Sequence, residues 1–200
     1  MTTTLRDPAS LPRGQQERRQ RILSTANTLL EQSEYDAIQM RDIAREAGVA
    51  LATLYRYFTS KEHLYAAALL EWARDFPSPR RAPSAAAEDD EARLRRLMRR
   101  AVRSFERYPQ MIRAVTMLES STDPNARALF EQFAALNLGT LMDALSSTDE
   151  ATAAAIIEAA NSVMVTRLRS WSQGLTSIED LHRDVARTLD LIFSTATTSG

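Results

Sequence analysis

A chain of 200 residues, 44% hydrophobic and 26% charged, carries enough apolar side chains to bury a core, which excludes disorder throughout. It contains no cysteine, which excludes disulfides, thiolate metal sites and a cysteine nucleophile; its two histidines, His63 and His182, lie far apart, so no metal, no cofactor and no enzymatic chemistry are expected. The formal net charge of −1 is near balance, and with no apolar run of membrane length and no apolar leader the expected location is the cytoplasm.

Five glycines among long alanine-, leucine- and arginine-rich runs predict an all-α fold of about nine helices. Residues 1–12 are polar, contain Pro8 and Pro12, and read as a flexible arm. Ile22, Leu23, Ala26, Leu29 and Leu30 recur at helical spacing and predict a first helix over 15–32. A second spans 40–47 and stops at Gly48, and a third spans 51–58. A fourth, capped by Ser60, continues to about residue 76. Three prolines within 77–87 interrupt the pattern. Further helices follow over 89–107, from Pro109 to Glu119, over 124–145, over 150–173 up to Gly174, and over 177–195. The expected organisation is an arm (1–12), a helix-turn-helix unit (13–60), a connecting helix (61–76), a linker (77–88) and a larger helical unit (89–200).

The most informative stretch runs from Tyr35 to Leu64, where two short helices flank a Gly48-Val49 turn. Ile43, Ala44, Ala47, Val49, Leu54 and Phe58 supply a small core, which leaves Leu51, Ala52, Thr53, Tyr55 and Tyr57 for the other face of the second helix. Small residues at its start permit entry into a major groove, a threonine hydroxyl can donate to phosphate, and tyrosine offers a ring to thymine methyls. Packing between helices is the competing role for Tyr55 and Tyr57.

The residues Arg41-Asp42-Ile43-Ala44, Ala47-Gly48-Val49-Ala50, Thr53-Leu54-Tyr55-Arg56-Tyr57-Phe58 and Ser60-Lys61 together resemble the DNA-binding domain of TetR-family regulators over about residues 18–70. The string from Tyr35 to Arg41 is most similar to the KstR-type members, which repress steroid catabolism in actinobacteria. The resemblance implies that Gln39 and Arg41 lie at the start of the helix before the turn, within reach of DNA, and that Leu51 and Ala52 face bases. It further implies phosphate contacts for Thr53, Tyr57 and Lys61, with Tyr55 beside them. Met40 stands where many members carry a phosphate-binding hydroxyl, and Ala52 replaces a common glycine. Arg56 either faces DNA or pairs with Asp36 or Glu62.

Residues 1–21 carry a net charge of +3, and Arg18 and Arg19 are candidates for phosphate neutralisation beside the helix-turn-helix. A second arginine cluster, Arg93, Arg95, Arg96, Arg99, Arg100, Arg103 and Arg107, reads as a solvated face paired with nearby acids, or else as an anion site at a pocket mouth. Met111, Met117, Phe130, Phe133, Leu138, Met142, Met164, Leu168 and Trp171 are candidates for an adaptable apolar pocket, with core packing as the alternative. Asn161 and Arg167 interrupt an apolar helix and either orient a ligand or bond across subunits. Ile156, Ala160, Val163, Leu181, Val185, Leu189 and Ile192 form apolar faces expected to join two subunits in a four-helix interface. The expected function is a homodimeric repressor that binds a palindromic operator and is released by a bulky apolar or amphipathic effector of steroid, fatty acyl or acyl-CoA type. The alternative is a helical interaction protein whose DNA-binding face has decayed.

Overall fold

The computed structural model describes residues 11–74 and 88–198, so the expected arm and linker lie almost wholly outside the described residues. Among the described residues every long element is a helix: α1 (Arg13–Gln32), α2 (Met40–Glu46), α3 (Leu51–Tyr57), α4 (Lys61–Arg74), α5 (Asp90–Arg107), α6 (Gln110–Glu119), α7 (Pro124–Ala144), α8 (Glu150–Ser172) and α9 (Ile178–Thr198). A single 3-10 turn, Tyr35–Ala37, joins α1 to α2 and has no counterpart in the helical pattern of the sequence. No helix among the described residues is long and apolar enough to cross a membrane.

Local chemistry sets the helix ends. Three aspartates cap their helices: the Asp89 carboxylate accepts from Ala92 N at 2.8 Å, Asp123 accepts from Asn125 N and Ala126 N at 2.7 and 3.1 Å, and Asp149 accepts from Thr152 N at 3.0 Å. Pro124 occupies the first turn of α7, where its missing N–H costs nothing. Ser60 caps α4, its hydroxyl accepting from His63 N at 2.9 Å. Gly48 adopts φ +63° between α2 and α3, with nothing within 4 Å of a Cβ built there, so the backbone conformation and not space demands glycine.

The helix-turn-helix core is Ile22, Leu23, Ala26, Leu30, Ile38, Met40, Ile43, Ala44, Leu54 and Phe58, all buried. From it α4 leads into the second unit and lies along α7, where the buried alanines 66–68 remove side-chain bulk and let the two helices approach closely. Helices α8 and α9 pack as an antiparallel pair, and α5 rests against both α7 and α9.

That packing corrects the expected subunit interface. Ile156, Ala160, Leu181, Val185 and Leu189 are buried within this single chain, and Ile192 packs against the same core. The apolar faces expected to meet a second subunit are covered within the chain by α5, α6 and α7, which pack on them. Val163 alone of the seven is half-buried without joining the core. Arg167 is likewise engaged inside the chain, its Nε 2.8 Å from an Asp184 carboxylate oxygen across the α8–α9 pair.

Candidate nucleic-acid interface and internal cavity

The two-turn helix α3 has one face rooted by Leu54, which is fully buried, and an opposite face that carries Leu51, Ala52, Tyr55 and Arg56 into solvent. Leu51 and Tyr55 are 41% and 47% exposed and lie four residues apart, so both project from the same side of the helix. Large apolar groups exposed in this way do not stabilise the free protein. Arg56 forms no ion pair among the described residues, neither with Asp36 nor with Glu62, and Arg41 at the start of α2 is equally exposed and unpaired. Gln39 is exposed as the residue preceding α2, and its side chain caps nothing. Gln39, Arg41, Leu51, Ala52, Tyr55 and Arg56 are therefore all open to a partner.

The other residues of the expected face are held differently. Thr53 and Tyr57 are half-buried, and the Tyr57 hydroxyl is covered without a hydrogen-bond partner. Met40 is buried in the core and takes no part in the surface. The Lys61 ammonium donates to the carbonyls of Tyr35 and Ile38, each at 3.0 Å, and sits 4.0 Å from the Tyr35 ring centroid, so it closes the 3-10 turn onto α4. Arg19 pairs with Glu71 at 3.2 Å and stacks over Phe58 at 5.6 Å, bracing α1 against α4, whereas Arg18 is half-buried with no ion pair among the described residues. Arg56, which the sequence left between DNA and an acid partner, joins the open face through its four-residue spacing from Ala52.

Behind this face lies a polar junction between the two units. Asn125 Nδ2 donates to Thr59 Oγ1 at 3.0 Å, and the Asp123 carboxylate, which caps α7, lies near Ser60 and His63. His63 is buried beside them, its Nδ1 accepting from Thr59 N at 3.1 Å, an arrangement that requires the neutral ring. Burial, and after it the Arg19 guanidinium, push the His63 pKa below its ordinary value of 6.5, against an opposing pull from Asp123. The unfolded chain therefore binds a proton more readily than the folded one, and this contribution to stability is present above pH 6.5 and is lost as pH falls through the lower folded value. The thermal midpoint should drop more steeply below that pH for the wild type than for His63→Gln. Parallel pH profiles for the two proteins would remove His63 as the cause.

The second unit encloses a cavity of about 300 Å³. Its wall takes Trp72 and Ala73 from α4, Leu97, Met98, Ala101 and Phe105 from α5, and Ile112, Val115 and Glu119 from α6. Helix α7 adds Phe130, Phe133, Leu136, Leu138 and Leu141 with Asn137 and Thr140, and α8 adds Ile157, Asn161, Met164, Val165 and Leu168. Phe130, Phe133, Leu138, Met164 and Leu168 were expected there. Met111, Met117, Met142 and Trp171 were expected too, but Met111 is buried in the core and the other three pack against it outside the wall. Helical periodicity marks the buried side of a helix but does not tell which of its side chains meets the void. Trp72, with its ring 5.2 Å from Phe105, was missed because α4 reads as a connector.

None of the arginines at 93–107 lines this cavity among the described residues. Arg93, which is buried, pairs with Asp90, Arg95 with Glu91 and Asp190, and Arg96 with Glu88, while Arg99, Arg100, Arg103 and Arg107 are exposed.

Residues 22–68 match the bacterial regulatory proteins of the tetR family, and residues 88–192 match the tetracyclin repressor-like C-terminal domain. The HTH-type transcriptional repressor KstR of Rhodococcus jostii (strain RHA1) is 31% identical over 188 residues, a span covering 89% of this chain and 84% of that protein. Among solved structures, a TetR transcriptional regulator from Rhodococcus sp. RHA1 superposes with a TM-score of 0.74 at 26% identity, covering 90% of this chain and 96% of that one. The regulator FadR of Bacillus subtilis, in complex with stearoyl-CoA, shares the fold with a TM-score of 0.66 at 18% identity, over 86% of this chain and 96% of that one. With both its helix-turn-helix unit and its larger helical unit matched, the chain belongs to the TetR family of bacterial transcriptional regulators, DNA-binding proteins and not enzymes.

Proposed function

We propose that this chain is a cytoplasmic, homodimeric repressor whose α3 helices enter successive major grooves of a palindromic operator and whose release is triggered by an apolar small molecule in the α4–α8 cavity. The observation that carries the DNA reading is the exposed, unpaired set Leu51, Ala52, Tyr55 and Arg56 on α3 with Arg41 beside it. Apolar surface and guanidinium groups without partners suit base methyls and phosphates. The KstR repressor of Rhodococcus jostii, similar over most of both chains, supports repression as the mode of action.

With all of the earlier interface residues but Val163 committed to the monomer core, the dimer contact is proposed on the outward side of α8. Ala151, Ala155, Ala159, Ser162 and Thr166 are exposed along one stripe of that helix, with Val163 at its edge. Two copies facing each other there would place small side chains in contact and bring helices close about a two-fold axis. In the cavity, a bulky apolar effector is supported by the hydrocarbon wall. A ligand with higher affinity for one spacing of the two α3 helices shifts the population toward it.

The decisive experiment is operator binding by the purified protein, with the duplex taken from genomic fragments that it selects. Tyr55→Ala is expected to weaken that binding by about 1 to 3 kcal/mol, roughly 5- to 150-fold, the range of one good base contact. Wild-type affinity in the variant would take Tyr55 out of the interface. Failure of the wild type to bind any duplex in a salt-dependent way would favour the interaction-protein alternative.

A further inference from the structure

We propose that Asn161 is the specificity-determining residue of the α4–α8 cavity, hydrogen bonding a carbonyl or hydroxyl group set in an otherwise uncharged hydrocarbon ligand. The inference deepens the effector reading above and rests on it.

Besides the Trp72 indole N–H, four polar side chains line the cavity among the described residues: Glu119, Asn137, Thr140 and Asn161. Three of these four are engaged within the protein. The Glu119 carboxylate is met by Arg169. Asn137 Nδ2 donates to the carbonyl of Phe133 at 2.9 Å, and Thr140 Oγ1 donates to that of Leu136 at 2.8 Å, so both spend a donor on the preceding turn of α7. Asn161 differs. Its amide forms no hydrogen bond with any described residue, although it stands on α8 among Ile157, Met164, Val165 and Leu168 on the same wall.

A primary amide offers two donors and one acceptor. When an apolar occupant displaces water from such a group and returns no hydrogen bond, the desolvation cost is left uncompensated. An occupant that places a carbonyl or hydroxyl oxygen against the amide recovers it. The same wall has no arginine, lysine or histidine among the described residues, so a carboxylate or phosphate carried inside would lose its hydration without gaining a counter-charge. Charged groups, if the ligand has any, belong outside the cavity. A site of this kind discriminates by its polar group more sharply than by size, because a missing partner leaves that group unsatisfied.

The test uses two matched series, androstane with androstanone and androstane carboxylic acid, and cyclododecane with cyclododecanone and cyclododecane carboxylic acid. The ligand-induced shift in thermal midpoint is titrated for the whole protein, for Asn161→Leu and for Asn161→Ala, the last in case leucine overfills the space. Unliganded melting curves establish that each variant is folded. In the wild type, half-maximal stabilisation by at least one ketone should need about tenfold less ligand than by its hydrocarbon or its acid, the equivalent of one good hydrogen bond. In both variants the ketone and the hydrocarbon should become equipotent. Retention of the ketone preference by the folded variants, or a wild-type preference for the acid, overturns the role given to Asn161 while leaving an effector site in place. No stabilisation of the wild type by any member overturns the apolar-effector reading itself, and Asn161 with it.

Discussion

Val185→Asp is expected to unfold the chain and not to split a dimer. Val185 is 4% exposed and lies one turn from Leu181 and one turn from Leu189, both buried, on the face of α9 that meets the rest of the core. A carboxylate placed there loses its hydration with no designed partner, or takes up a proton and still leaves a polar group unbonded. An uncompensated buried charge costs about 3 to 5 kcal/mol, against a total stability of roughly 5 to 15 kcal/mol for a typical domain. Urea unfolding of Val185→Asp should therefore show a midpoint displaced far below that of the wild type, or no folded baseline at all. A well-folded monomer with an unchanged midpoint would return Val185 to a subunit interface.

Arg93→Ala is expected to cost a comparable amount at a place where the sequence suggests only a solvated arginine. The residue is 9% exposed, and its guanidinium donates from Nε to the carbonyl of Ala144 at 3.0 Å and to the Glu88 carbonyl and the Asp90 carboxylate. Asp90 in turn accepts from Ser147 N at 3.0 Å and from Thr148 Oγ1 at 2.7 Å. Burial pushes the Asp90 carboxyl up, but the bonds from Thr148 and Ser147, together with Arg93, outweigh it and hold the group below its ordinary value. One side chain thus fastens the start of α5 to the end of α7 and to the turn before α8. Removing it leaves the Asp90 carboxylate without its counter-charge and the helix-terminal carbonyl of Ala144 without its donor, at a cost of about 3 to 5 kcal/mol. Arg93→Lys should recover only part, since a point charge cannot reproduce the planar fork. The check is equilibrium denaturation of both variants; a loss under about 1 kcal/mol for alanine would make the cluster a surface feature after all.

These two residues show where sequence stops being informative. Helix existence and order were legible because apolar spacing, the Ser60 cap, the prolines at 109 and 124, and Gly48 all reported on the same boundaries. The open face of α3 was legible because Leu51 and Tyr55 are apolar groups at positions that Leu54 and Phe58 exclude from the core. Burial of an arginine was not, since its partners at Ala144 and Glu88 are backbone carbonyls and carry no sequence signal. Lys61 and Arg19 were assigned to phosphate by pattern, while the fold gives them bonds to Tyr35, Ile38 and Glu71 that arise only from tertiary proximity. The apolar faces of α8 and α9 were legible as apolar, but not that they are covered within one chain, because what covers them depends on topology.

Helix α4 has a mechanical consequence. Its first residue, Lys61, grips the 3-10 turn beside the DNA-facing helices, and near its other end Trp72 and Ala73 form part of the cavity wall. Fourteen residues make a rod of roughly 21 Å. If an occupant tilts that rod by about 5° at the wall, the far end sweeps roughly 2 Å, with no flexible joint between to absorb the movement. Distances in a DNA groove are matched on that scale, so in the proposed dimer a lever this short would convert a modest change in cavity shape into a misfit between the two recognition helices, and mutations that soften its alanine-packed middle would act like slack in a linkage.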